Sequence, residues 1–286
     1  MTDAEWKRLL RRIESGRCTP FLGAGVGADV LPLGGTIAAE WAQRYDYPLK
    51  DRDDLARVAQ FVAVVEDPMW PKEDIRSFFH LKAAPLEDED EPHRVLAELP
   101  LPIYLTTNYD NFMVQALRQA GRNPVEDFCR WTSRESFGRS VFDDPRGFEP
   151  TVANPLVYHL HGLLERPESL VLTEDDYVDF LVNVSDADVV PPRIREALSD
   201  SMLLFIGYRF TDWNFRVLYR GLVEKVDPSG RRQNLTVQLL PADVPSPEAA
   251  QSYLNQYFDA LSVRVFWGDA REFLSELRER WRHRGS

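Results

Sequence analysis

Phe21-Leu22-Gly23-Ala24-Gly25-Val26-Gly27 ends a short apolar run, residues 19–22, in a turn of alternating glycines. Glycine takes positive φ without strain and has no Cβ to hold a ligand at a distance. Between a strand and a helix, such a turn presents backbone N–H groups to a pyrophosphate. The spacing Gly23, Gly25, Gly27 lacks the final glycine of the dinucleotide fingerprint, so the turn alone specifies little. Its weight comes from three later polar segments, each beside an apolar run, that can converge on it.

Working outward, residues 103–106, 156–158, 202–206, 235–240 and 263–266 read as further short buried strands. Between them the periodicity predicts helices over 36–44, 53–65, 111–119, 173–182, 193–198, 213–226 and 271–281, after a first helix capped by Thr2 or Asp3. Residues 123–155 read as a loop-rich segment without periodicity. Strands alternating with helices imply an α/β fold, a Rossmann-like doubly wound and mostly parallel sheet. We expect one domain over 1–286, its core about 15–35, 99–122 and 155–286, with a helical insertion at about 36–98. Within that insertion the acidic run 87–91 reads as a solvated loop.

Composition narrows the function. A net charge of −12 argues against a general nucleic-acid binder, and the basic cluster Lys7, Arg8, Arg11, Arg12 and Arg17 reads as a solvated helix face. Cys18 and Cys129 are the only cysteines, which excludes a disulfide scaffold and a four-cysteine zinc site. The start of the chain is acidic and no apolar run approaches the ~20 residues of a membrane span. A cytoplasmic protein with two reduced thiols is expected.

A doubly wound sheet binds its ligand at the carboxyl ends of its strands. Those ends are Gly23 to Gly27, Thr107-Asn108-Tyr109-Asp110, His159-Leu160-His161-Gly162 and Gly207 to Asp212. The second segment is either a helix cap or a functional group. Asn108 can donate and accept toward a water or a ribose hydroxyl, and Asp110 can stabilise charge on a sugar ring. His159 and His161 point the same way on a strand, but no third metal ligand has an evident source. His159 reads as a buried histidine and His161 as a general base. Gly207 permits close approach of a nucleotide, while Thr211 or Asp212 caps the next helix. Phe266-Trp267-Gly268-Asp269 reads as a turn before a capped helix.

In this order, Gly23-Ala24-Gly25, Thr107-Asn108-Tyr109-Asp110, His161-Gly162 and Gly207-Tyr208 with Asp212 resemble the sirtuin-like (SIR2) family. The likeness runs from about residue 15 to 270 and is nearer to the bacterial SIR2-like branch of antiphage defence. The resemblance implies that Gly23, Ala24, Gly25 and Val26 hold NAD phosphates. It maps the catalytic asparagine and histidine onto Asn108 and His161, and the motif acid onto Asp110. Further nucleotide contacts fall on Thr107, Gly207, Tyr208 and Asp212. It implies NAD⁺ as substrate, no metal, a homo-oligomer, and a defence partner such as an ATPase or a short Argonaute, with neither membrane nor direct nucleic-acid binding. Deacylating sirtuins carry a zinc module and a serine after the glycine turn. Here two lone cysteines and Gly27 stand instead. NAD⁺ glycohydrolysis is therefore the expected activity, with an NAD-dependent deacylase and a non-catalytic nucleotide sensor as alternatives.

Overall fold

The computed structural model describes the chain apart from residues 80–83, 133–136, 146, 185–188, 210–215, 217–218, 225–232, 241–243 and 285–286. Its strands are β1 (Cys18–Leu22), β2 (Ile103–Thr106), β3 (Val125–Phe128), β4 (Leu156–His159), β5 (Met202–Ile206), β6 (Asn234–Gln238) and β7 (Val263–Trp267). All pair in parallel, in the order β3-β4-β2-β1-β5-β6-β7. The Rossmann-like α/β expectation holds. From β1 the chain passes to β2 beside it, then to the edge strand β3, back inward to β4, and across to β5 on the other side of β1. The switch point of the sheet therefore lies around β1.

Two cores sandwich the sheet, and strand alternation assigns the faces. Leu22, Tyr104, Val157, Leu204 and Ile206 pack on one side with Trp6, Leu9 and Ile13 of α1 (Asp3–Glu14). Phe21, Ile103, Leu105, Tyr158, Leu203 and Phe205 pack on the other. Of the two caps its sequence offers, the helix α1 uses Thr2, in a capping box with Glu5. Its Lys7, Arg8 and Arg11 are exposed, as expected of a solvated face.

Between β1 and β2 run α2 (Gly34–Arg44), α3 (Leu55–Val65), α4 (Trp70–Asp74), α5 (Arg76–Phe79) and α6 (Pro92–Ala97). Ile37, Trp41, Val58 and Val62 of α2 and α3 build a third core against Leu170 and Leu172. The helices α2 and α3 thus share an apolar seam with the segment that precedes Glu174. The remaining helices are α7 (Phe112–Gln119), α8 (Glu174–Val184), α9 (Pro192–Asp200), α10 (Pro247–Ala260) and α11 (Ala270–Arg282), with a π-helical turn at Tyr219–Glu224. Half of the helix expected over 213–226 lies outside the described residues, and its described half contains this π-helical turn.

Three readings need correction. The loop-rich segment contains β3, whose Glu126 and Asp127 hide a four-residue edge strand from any apolar pattern. Helix α10 was not foreseen, because only Phe258 along it is buried. The acidic run is not merely solvated: it docks on the basic face of α11. Asp88 meets Arg271 at 2.5 Å, Asp90 pairs with Arg278, and Glu91 is buried against His93 Nδ1 at 2.6 Å. Residues 239–240 follow the end of β6 and are exposed.

Candidate active site

Register builds the site. Leu22 lies beside Thr106 and Ile206, and Thr106 lies beside His159, so four strands end on one level. The residues that follow meet at the switch point and open into a cleft of about 900 Å³, a size suited to a dinucleotide. Ala24, Gly25 and Val26 line it, as do Thr107, Asn108, Asp110, His161, Gly207 and Tyr208. Gly23 is not among the lining residues, and Asp212 lies outside the described residues.

The glycines answer first to each other. Gly25 N–H donates to Gly207 O at 2.9 Å, and Gly23 N–H to Ile206 O at 2.9 Å. A Cβ on Gly207, whose φ is +81°, would sit 2.6 Å from both Gly23 O and Val26 N. A Cβ on Gly25 would sit 2.9 Å from Gly207 Cα. Val26 and Gly27 donate back to Gly23 and Ala24 carbonyls. The turn is therefore less open than its composition suggests: close approach here is between two backbones.

Tyr208 locks this junction. Its hydroxyl donates to Leu22 O at 2.8 Å and is 2.8 Å from Thr107 Oγ1, which therefore donates to it. Leu22 O also accepts Thr107 N–H and Thr106 Oγ1–H. The Tyr208 carbonyl in turn accepts from Nε2 of buried Gln238, a residue the sequence did not single out. Tyr208→Phe leaves Leu22 O two donors but orphans the Thr107 hydroxyl. We expect a loss of about 1–2 kcal/mol in chemical denaturation. A variant as stable as the parent would contradict this lock.

Asn108 is held at three atoms. Its N–H donates to Thr106 Oγ1 at 2.9 Å and its Nδ2 to Gly23 O at 3.1 Å, while its carbonyl accepts from His159 Nδ1 at 2.9 Å. Asp110 is buried and its Oδ1 accepts Phe112 N–H at 2.9 Å, capping α7. The same residue also lines the cleft. His159 is fully buried, as expected. Asp269 Oδ1 caps α11 through Glu272 N–H at 2.7 Å, so the last turn is the simple one the sequence implies, although Gly268 and Asp269 also line the cleft.

His161 differs from these. Its Nε2 is buried and has no hydrogen-bond partner. Tyr177 and Phe180 of α8 stand edge-on to its ring, with centroids 5.3 and 5.1 Å away. A buried orphan nitrogen is costly and calls for a partner the protein itself does not supply. Burial pushes the imidazole down from 6.5 to about 3, so it is neutral throughout the physiological range. Folded His161 binds its proton more weakly than the unfolded chain does. Its contribution to stability is complete above pH 6.5 and is lost as pH falls toward 3, at up to about 1.4 kcal/mol per pH unit. Denaturation of the parent between pH 6 and 4 should show this loss, and His161→Gln should lack it. Equal slopes for the two proteins would show that burial does not depress this group.

Among the described residues no cluster of three or more His, Cys, Asp and Glu side chains is placed to hold a metal. Cys18 and Cys129 are buried and free, and burial pushes both thiols up to about 12. No helix among the described residues is long and apolar enough to cross a membrane.

A parallel sheet whose glycine turn, asparagine, acid and histidine meet at its switch point has the architecture of a nucleotide site. The SIR2-like domain model matches residues 102–261, more than half of the chain, and the chain belongs to that family. It is 29% identical over 216 residues to the NAD(+) hydrolase ThsA of Enterococcus faecium, covering 73% of this chain and 40% of that one. It is 27% identical over 195 residues to the ThsA of Bacillus cereus (strain MSX-D12), covering 68% and 37%. With the ThsA of Acinetobacter baumannii (strain 532279) it shares 24% over 291 residues, covering 96% and 56%. The chain thus spans between 37% and 56% of the length of these relatives.

Proposed function

We propose that the chain is an NAD⁺ glycohydrolase that releases nicotinamide and ADP-ribose. The observation that carries this reading is the unpartnered, neutral His161 lining the same cleft as Asn108 and Asp110. Cleavage breaks the bond between ribose C1′ and the pyridinium nitrogen, and the bonding electrons leave with nicotinamide, which departs neutral. The developing oxocarbenium charge needs nearby anionic stabilisation, which Asp110 offers. Water supplies the new C1′–O bond. Asn108, with Nδ2 committed to Gly23 O, keeps its Oδ1 to orient that water, and His161 Nε2 takes the proton. The turn from Ala24 to Val26, together with Thr107, Gly207 and Tyr208, holds the phosphates and riboses. The names of the relatives, NAD(+) hydrolase, agree with this chemistry.

Resemblance to the antiphage branch supports a role as a toxic effector whose NAD⁺ depletion halts an infected cell. Such an activity must stay silent until a partner protein or self-assembly releases it. The burial of His161 Nε2 under Tyr177 and Phe180 fits a resting site. The test is nicotinamide release from NAD⁺ by purified chain over a range of protein concentrations. Release that rises more steeply than concentration supports a hydrolase switched by assembly. NAD⁺ binding without release at any concentration or with any partner would favour the sensor, and acyl-lysine turnover with NAD⁺ would favour the deacylase.

A further inference from the structure

The asparagine that the proposed hydrolase depends on is held from behind by a relay running across three strands. His159, at the end of β4, donates from Nδ1 to the Asn108 carbonyl at 2.9 Å. Its Nε2 lies 3.1 Å from Oε1 of Glu126 on the edge strand β3. A carbonyl can only accept, so Nδ1 carries a proton. The Glu126 carboxylate pairs with Nε2 on the far side of the ring. Burial raises the Glu126 carboxyl, but the hydrogen bond and charge of His159, helped by Arg118, outweigh it and hold the group below the ordinary value. The ring therefore sits between two oxygen partners, the Asn108 carbonyl and the Glu126 carboxylate. It is almost wholly buried, while the Glu126 side chain keeps 29% of its exposure.

We infer that Glu126 is a positioning residue, acting through His159 to hold the Asn108 backbone and hence the Asn108 amide at the mouth of the cleft. The inference rests on the reading of Asn108 as the group that orients water. Its geometric half stands apart from that reading, because it concerns only three side chains and one carbonyl. Neither Glu126 nor β3 carries any of the sequence motifs. Glu126 is far enough from the cleft not to line it, so it affects the reaction only through the relay. A paired carboxylate that fixes the tautomer and orientation of a histidine is a recurrent device in catalytic and ligand sites.

The test pairs ¹⁵N-histidine spectra of the full chain with kinetics. His159 is one of five histidines and is assigned with His159→Gln. The parent should show the His159 Nδ1 proton held in a hydrogen bond, and Glu126→Ala should shift or broaden that signal. With unchanged thermal unfolding, Glu126→Ala should lower kcat for NAD⁺ about tenfold or more, the scale expected of a misplaced group. KM should stay within about twofold of the parent, because the nucleotide contacts are untouched. Glu126→Gln, which still hydrogen-bonds Nε2, should recover most of kcat. A parent without a hydrogen-bonded His159 Nδ1 proton, or a Glu126→Ala variant with parental kcat, overturns the relay. So does a loss that Gln fails to recover. A parent that never cleaves NAD⁺ overturns the hydrolase instead, and the spectra then decide the relay alone.

Discussion

His161→Ala is expected to lower nicotinamide release by about 10²–10⁴-fold, the usual contribution of a positioned general base. The variant should still fold, because His161 makes no hydrogen bond through Nε2 that its removal could break. Its ring contacts with Tyr177 and Phe180 are the main loss to stability, and removal of a buried orphan nitrogen offsets part of it. Asn108→Ala should show a comparable kinetic defect with NAD⁺ binding largely retained. The pH profile separates the base from a bystander. Since kcat/KM reports the free enzyme, a histidine held near 3 should give no acid limb near 6.5. A folded His161→Ala enzyme with near-parental turnover would falsify the assignment of the base.

Gly162→Ala should be the most damaging substitution to stability. Gly162 has a φ of +88°, where an alanine is strained, and its Cβ would lie 2.5 Å from Ser169 C and 2.6 Å from Ser169 Oγ. Ser169 has no room to yield. Its carbonyl accepts Trp131 Nε1–H at 2.7 Å, its Oγ donates to Arg166 O and accepts Leu163 N–H, and it is fully buried. Positive-φ strain and overpacking together cost roughly 2–6 kcal/mol. Because Val171 N–H holds the His161 carbonyl one residue away, activity should fall with stability. A denaturation midpoint within about 0.5 kcal/mol of the parent would show that the turn can relax, contrary to this reading. Gly27→Ala is the control, since its Cβ would come no nearer than 3.4 Å to Leu31 Cδ1 and 3.9 Å to Leu31 Cγ and Phe112 Cδ2.

Much of the site was legible because strand ends are written locally. An apolar run that stops at glycine, asparagine or histidine declares a carboxyl-terminal end, and a parallel sheet gathers such ends on one level. Thr107, Asn108, Asp110, His161, Gly207 and Tyr208 were all reachable by that argument, and all line the cleft. Glu126 and Gln238 were not. Glu126 lies in an edge strand whose charges break the apolar pattern, and Gln238 is one polar residue at the end of a buried strand. Nothing in their neighbours' identities says which carbonyl or ring they will meet.

The sequence by itself determined the α/β class, the strands bearing the motifs and the residue types available for chemistry, because these follow from periodicity and side-chain inventory over a few neighbours. Tertiary structure alone decided what each group experiences. It packed the backbones of Gly25 and Gly207 against each other, bound the acidic run to Arg271 and Arg278, and set His161 against two rings of α8. The physical reason is that desolvation and close packing depend on atoms brought together from segments far apart in the chain, and no local pattern encodes that encounter.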